Sequence, residues 1–197
     1  MSDESNGYEA IAAEFMAVRG IPCETRPAIG VRTVREWARA LRCGGAVLDL
    51  GCGSGYPITQ LLVEAGLEVH GVDASASMAA AFRTRFPGVP IECNDVVKSS
   101  FFGRDFDGVI AWGLLFLLRP DAQAQLIAKV GRALTRGGQF LFTAPLQECE
   151  WFDSMTGRPS VSLGAEHYRQ LLEEAGLDLV DEMDDEGDNH YYVAARP

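Results

Sequence analysis

"VLDLGCGSGYPIT", residues 47–59, is the stretch whose reading decides the fold. An apolar run with strand character enters three glycines at alternate positions, Gly51, Gly53 and Gly55, and leaves into a helix start. A turn without side chains brings backbone amides close to whatever lies above it. The dinucleotide fingerprint G-x-G-x-x-G requires a third glycine at 56, where this chain has Tyr56. No Gly-Lys-Ser/Thr follows, so the stretch is not a P-loop either. A tight turn that holds nothing is the remaining plain reading. Two acids argue against it: Asp73, ending the next apolar run, and Asp95, after the third.

Outward from this turn the apolar period switches repeatedly. Strands are predicted at 46–50, 67–73, 89–93, 106–112, 139–144, 177–183 and 190–196, with helices at 57–65, 76–86, 122–134 and 165–175 between them. Two further helices, 8–18 and 29–41, precede the first strand, separated by the Pro-containing loop "GIPCETRP". Strand-helix alternation predicts an α/β fold, a mostly parallel sheet covered on both faces. The last two strands are joined by only "DDEGDN", too short for a crossover, so the seventh should run antiparallel. The expected organisation is one domain over 1–197. It comprises an N-terminal helical cap (1–43), a ligand-binding core (45–145), and a lid, helix and C-terminal hairpin (146–197).

The chain has 197 residues, enough for one well-buried core, and a net charge of −11. That charge repels a nucleic-acid backbone. Arg32, Arg35, Arg39 and Arg42 recur at helical spacing and read as a solvated face. The start lacks a signal-peptide pattern, and the longest apolar segment, 108–118, is too short for a bilayer. Five cysteines without a C-x-x-C pair suggest reduced thiols in a cytoplasm and no structural zinc. No metal is expected. His70, His167 and His190 are dispersed, and the acid run 181–188 imitates a calcium loop whose closing Glu would fall at Val193. Those acids read as solvated hairpin charges.

"DLGCGSG" (49–55), "VHGVD" ending at Asp73, and Asn94-Asp95 together resemble the class I S-adenosylmethionine-dependent methyltransferases. The resemblance covers about 45–145 and loosens toward the termini. It implies a Rossmann-like sheet of seven strands, the last antiparallel, and S-adenosyl-L-methionine as cofactor, with S-adenosyl-L-homocysteine as product. Asp73 would accept from both ribose hydroxyls, and the bare backbone of Gly51, Cys52, Gly53 and Gly55 would lie along the methionyl chain. Asp49 would meet the ammonium directly or through water. Asn94, Asp95 and Val96 would face adenine, although Asp95 also suits a plain helix N-cap. Ala74, Met78 and Tyr8 are further cofactor candidates, Met78 and Tyr8 being equally suited to core roles.

The methyl acceptor belongs near Trp112, at the end of the fourth strand, which is a candidate for both cofactor contact and catalysis. Nucleic-acid amino-methylating members carry Asn/Asp/Ser-Pro-Pro-Tyr/Phe there, whereas this chain reads Ala111-Trp112-Gly113-Leu114. Phe116 in the following apolar stretch and Trp151 in the long insertion after the fifth strand are substrate-binding candidates. His190 begins the antiparallel strand at the ligand edge and is a candidate base and substrate contact, with an exposed hairpin histidine as its alternative. The expectation is methyl transfer to O, N or S of a small molecule by a monomer or homodimer, without nucleic-acid or membrane partners. Methylation of a protein or RNA, and a non-catalytic cofactor-binding module, stand as alternatives.

Overall fold

The computed structural model describes residues 4–19 and 29–197; the stretch "GIPCETRP", with Cys23, lies outside them. In chain order the strands are β1 (Ala46–Leu50), β2 (Glu68–Asp73), β3 (Ile91–Cys93), β4 (Phe106–Ala111), β5 (Leu134–Thr143), β6 (Glu148–Phe152), β7 (Pro159–Leu163), β8 (Asp178–Asp184) and β9 (His190–Ala195). Seven form one sheet in the order β3-β2-β1-β4-β5-β9-β8. The pairs from β3 through β5 are parallel, and β9 is antiparallel to both neighbours, as expected. Strand order reverses between β1 and β4, which opens a crevice at the carboxyl ends of these strands.

Helices α1 (Ala12–Arg19), α2 (Val31–Ala40), α3 (Ile58–Glu64), α4 (Ala76–Arg85), α5 (Pro120–Ala133) and α6 (Ala165–Glu174) surround the sheet. Alternate strand residues point to opposite faces, and both faces are covered. Val47, Ile110, Leu141 and Tyr191 pack with Val34 and Trp37 of α2 and Leu61 and Leu62 of α3. Leu48, Val109, Phe142 and Tyr192 pack with Leu126 and Val130 of α5 and Tyr168 and Leu172 of α6. Each fully buried side chain of this size contributes about 1.5–3 kcal/mol, so the sheet's register is strongly specified. Arg32, Arg35 and Arg39 are exposed on α2, and Arg42 pairs with Asp107 at 3.0 Å.

Three expectations need correction. The first helix starts at Ala12, four residues late, because Asn6 (φ 51°) and Gly7 (φ 89°) hold 4–11 in turns. The fifth strand begins at Leu134, where α5 ends, and shifts register against β4 as it passes Gly137 and Gly138. The glycines sit inside the strand, where Gly137 donates to the Arg196 carbonyl and Gly138 accepts from the Arg196 N–H. Finally, the insertion after β5 holds an antiparallel hairpin, β6–β7. Its period of two is present in "ECEW" and "SVSL", but the strands are short and one face is charged.

Candidate functional site

The glycine turn is tied to the sheet through its own amides. Gly51 and Cys52 N–H both donate to the Val72 carbonyl, at 2.8 and 3.2 Å. Gly51 and Gly53 are left-handed, at φ 68° and 55°, which disfavours any residue with a Cβ. A Cβ on Gly51 would press on Leu114 at 3.0 Å, whereas the space around Gly53 is open for 4 Å. The turn therefore presents bare backbone to the crevice. Asp73 closes the other side. Its Oδ2 accepts from Gly53 N–H at 2.7 Å and its Oδ1 from Ser75 N–H at 2.8 Å. Each oxygen keeps lone-pair capacity for a donor from outside. Burial pushes the Asp73 carboxyl up, and these two N–H bonds work against that.

Asp49 lies beneath the turn on the α3 face and is 2% exposed. Its Oδ2 accepts from the Thr59 hydroxyl at 2.6 Å. Burial raises its pKa to about 7, with the Asp73 charge adding to the rise and the Thr59 bond opposing it. A cation placed above the turn would stabilise the ionised form of both acids. Cys52 is buried, and burial first, then Asp49 and Asp73, pushes its thiol well up. It fills space as a neutral thiol.

The N-terminal segment closes over this edge. Glu9 accepts from Ser75 Oγ (2.5 Å), Ser77 Oγ (2.7 Å) and Ser77 N–H (3.0 Å) at the start of α4. The Tyr8 hydroxyl donates to Asp153 Oδ2 at 3.2 Å in the β6–β7 turn, so the segment links the Asp73 edge to the hairpin. Ala74 is half-buried between Asp73 and the α4 N-cap Ser75, whose Oγ accepts from Met78 N–H. Met78 is 2% exposed, within the packed core. After β3, Asn94 N–H donates to the Asp73 carbonyl at 3.0 Å. Asp95 Oδ1 accepts from Val97 N–H at 2.6 Å and from Lys98 N–H at 3.3 Å, closing a turn over 96–98 that does not continue as the α-helix an N-cap role called for. Its Oδ2 is left for another donor, and the Val96 side chain is buried beside it.

At the β4 end, Trp112 is half-buried on the α2–α3 face. Its Nε1–H donates to the Tyr191 hydroxyl at 2.8 Å, which donates to Asp185 Oδ2 at 2.8 Å. Asp185 Oδ1 also accepts from Gly187 N–H, Asn189 N–H and Asn189 Nδ2. Burial raises the Asp185 carboxyl, but the Asn189 and Tyr191 hydrogen bonds outweigh it and hold it below the usual range. Gly30, the α2 N-cap, sits against this chain of bonds: a Cβ there would fall 2.1 Å from the Tyr191 hydroxyl oxygen. Within the acid run read as solvated charge, Asp185 is thus a buried organiser. The β8–β9 turn carried no signal of it beyond Asp-x-Gly spacing.

Phe116 and Trp151, far apart in sequence, meet with ring centroids 5.4 Å apart. The hairpin brings them together. His190 is placed differently. Its backbone begins β9 at the carboxyl edge, but its ring packs on Tyr192 toward α6, the face opposite Tyr191 and Trp112. Nδ1 lies 2.7 Å from Asp184 Oδ1 and Nε2 lies 3.4 Å from Glu182 Oε1, with Arg169 bonded to Glu182. His190 therefore shares the carboxyl edge with Trp112 but not its face, because one residue of strand register turns a side chain to the other face. Among the described residues, no group of three or more His, Cys, Asp or Glu is arranged to hold a metal ion, and no helix is long and apolar enough to cross a membrane.

Residues 47–138 match a family model described as a methyltransferase domain. The chain is 28% identical over 101 residues to an uncharacterized methyltransferase of Anoxybacillus flavithermus, covering 51% of this chain and 47% of that one. It spans about half the length of the curated relatives it matches. Among solved structures it superposes on magnesium protoporphyrin IX methyltransferase from Synechocystis with bound S-adenosylhomocysteine, at a TM-score of 0.79 and 16% identity, covering 100% of both chains. It also superposes on Burkholderia thailandensis 1,6-didemethyltoxoflavin-N1-methyltransferase with its substrate and S-adenosylhomocysteine bound. There the TM-score is 0.72 and the identity 22%, over 98% of this chain and 90% of that one.

Proposed function

We propose that this chain is a class I S-adenosylmethionine-dependent methyltransferase that moves a methyl group to an O, N or S atom of a small molecule by direct in-line displacement. The observation that carries this is the pairing of a bare, left-handed Gly51–Gly53 turn with Asp73, whose two oxygens are oriented by Gly53 and Ser75 N–H groups. These residues fit the cofactor: a carboxylate for a ribose diol, open backbone for a methionyl chain, and Asp49 beneath for an ammonium. Asp95 and Val96 would hold the adenine, with Cys52, Gly55, Ala74 and Asn94 completing the wall and Tyr8 closing it. Met78 supports from the core. When bound, S-adenosylmethionine supplies a methyl group already activated by sulfonium charge.

The chain's own task is then alignment and exclusion of water, and alignment can supply up to about 7–11 kcal/mol. Trp112, held by Tyr191, would fix the acceptor beside the β4 end, with Phe116 and Trp151 as an apolar wall. The joined N-terminal segment and hairpin restrict the opening, which favours a small acceptor over a protein or RNA. His190, bracketed by Asp184 and Glu182, serves in this reading to brace β8 and β9, and the acceptor atom arrives already nucleophilic. The thiols of Cys43, Cys52, Cys93 and Cys149 are free, which suits a cytoplasmic setting.

Calorimetric titration with S-adenosylhomocysteine, then incubation of small nucleophiles with methyl-labelled S-adenosylmethionine, tests the reading. Binding with labelled product supports it. Binding without product from any acceptor class points to a non-catalytic module, and NADH binding in place of S-adenosylhomocysteine overturns it.

A further inference from the structure

We propose that Lys129 of α5 is a positioning residue that sets the affinity and selectivity of the site for adenine, an inference that rests on the reading of Asp95 and Val96 as adenine contacts. The Lys129 ammonium donates to three backbone carbonyls of one loop: Val97 at 2.9 Å, Val96 at 3.2 Å, and Ser99. It also lies 4.0 Å from the centroid of the Phe101 ring, just beyond that loop. An ammonium has three donors, and all three are used. Three converging carbonyls would repel one another without a cation between them. A planar guanidinium does not match their convergence, so lysine is the side chain the arrangement asks for.

The grip matters because of what the opposite side of the loop holds. Asn94 N–H is bonded to the Asp73 carbonyl, and Asp95 Oδ1 is consumed by Val97 and Lys98 N–H groups. This leaves Asp95 Oδ2 directed by the same turn whose carbonyls Lys129 holds. Ser99 Oγ anchors the far end by donating to Glu92 Oε2 at 2.5 Å and accepting from Phe101 N–H at 3.0 Å. Lys129 itself cannot drift, since Leu126, Ile127 and Val130 of the same helix are fully buried in the core. The rigid core on the α5 face thus fixes the loop through a single side chain. Loss of the ammonium frees Val96 and Asp95 to move while leaving the glycine turn and Asp73 in place.

The test compares S-adenosylhomocysteine with S-inosylhomocysteine, which carries an oxygen in place of the exocyclic amine. Affinities are measured by calorimetry for wild type and Lys129→Met, with melting temperatures taken without ligand. The wild type should prefer adenine by ~10-fold, the value of one charge-assisted hydrogen bond. Lys129→Met should bind S-adenosylhomocysteine ~10-fold more weakly and S-inosylhomocysteine nearly as before, so the preference disappears. A preference unchanged in Lys129→Met, whatever its melting temperature, overturns the proposal, as does a wild type indifferent to the amine. Should Lys129→Met not fold, Lys129→Gln keeps two donors without the charge, and its preference must fall for the proposal to stand. A wild type that binds neither ligand overturns the proposed function itself.

Discussion

Around Gly51 and Asp73 the site is shaped by backbone: amides of Gly51, Cys52, Gly53 and Ser75 make the bonds, and most partners lie within about 20 residues of each other. Around Trp112 it is shaped by side chains from distant elements, Tyr191 and Asp185, and the Phe116–Trp151 pair is likewise a side-chain contact between distant elements. Backbone geometry tolerates few sequences, because only glycine adopts the left-handed turn without strain. Side-chain geometry can be rebuilt in many ways. The first region accordingly suits a ligand held in common, and the second suits an acceptor particular to this chain.

The comparison breaks most visibly at Asp73. Removing its carboxylate takes away the acceptor for a ribose and unties Gly53 and Ser75 together. With charged hydrogen bonds at about 1.5–3 kcal/mol each, Asp73→Ala should weaken S-adenosylhomocysteine binding ~100-fold or more by calorimetry. An affinity within about threefold of wild type, roughly 0.65 kcal/mol, would falsify the assignment. At the other region, Tyr191→Phe leaves the indole N–H and Asp185 without their shared partner. Turnover should fall ~10-fold while S-adenosylhomocysteine affinity stays within about twofold. Equal losses in both would mean that the two regions are not separable.

A smaller effect concerns pH at the cofactor side. Asp49 titrates near 7 in the fold against 3.8 for an ordinary aspartate. Because the folded pKa is raised, the group's stabilisation is fully present below about pH 4 and is lost as pH rises toward 7. A bound ammonium favours the carboxylate. S-adenosylhomocysteine binding should therefore release a proton and tighten several-fold between about pH 6 and about pH 8. Calorimetry in two buffers of different ionisation enthalpy measures that proton, and Asp49→Asn should abolish the release.

Much of the cofactor side was legible from local pattern. The Gly51-Gly53-Gly55 spacing, the apolar period of two ending at Asp73, and the short "DDEGDN" link report structure formed by near neighbours. The β6–β7 hairpin leaves little trace in the sequence because Glu148 and Glu150 alternate with Cys149 and Trp151 over only five residues. Ser75 at the α4 N-cap was readable in "DASASM", yet its bond to Glu9 was not, since the partner lies 66 residues away.

What the chain's order of residues determined alone is the seven strands of the main sheet and most of the helices between them, the parallel pairing they imply, and a glycine turn facing an acid across the first crossover. These follow from side-chain period and backbone sterics, which act over a few residues. Tertiary structure decided the rest: that His190 turns toward α6, that Asp185 is buried beneath Trp112, that Phe116 meets Trp151, and that Lys129 closes on three carbonyls. Each depends on which face a strand or helix presents to partners distant in sequence. That choice is made by burying two apolar faces at once, a property of the packed sheet that no short stretch carries.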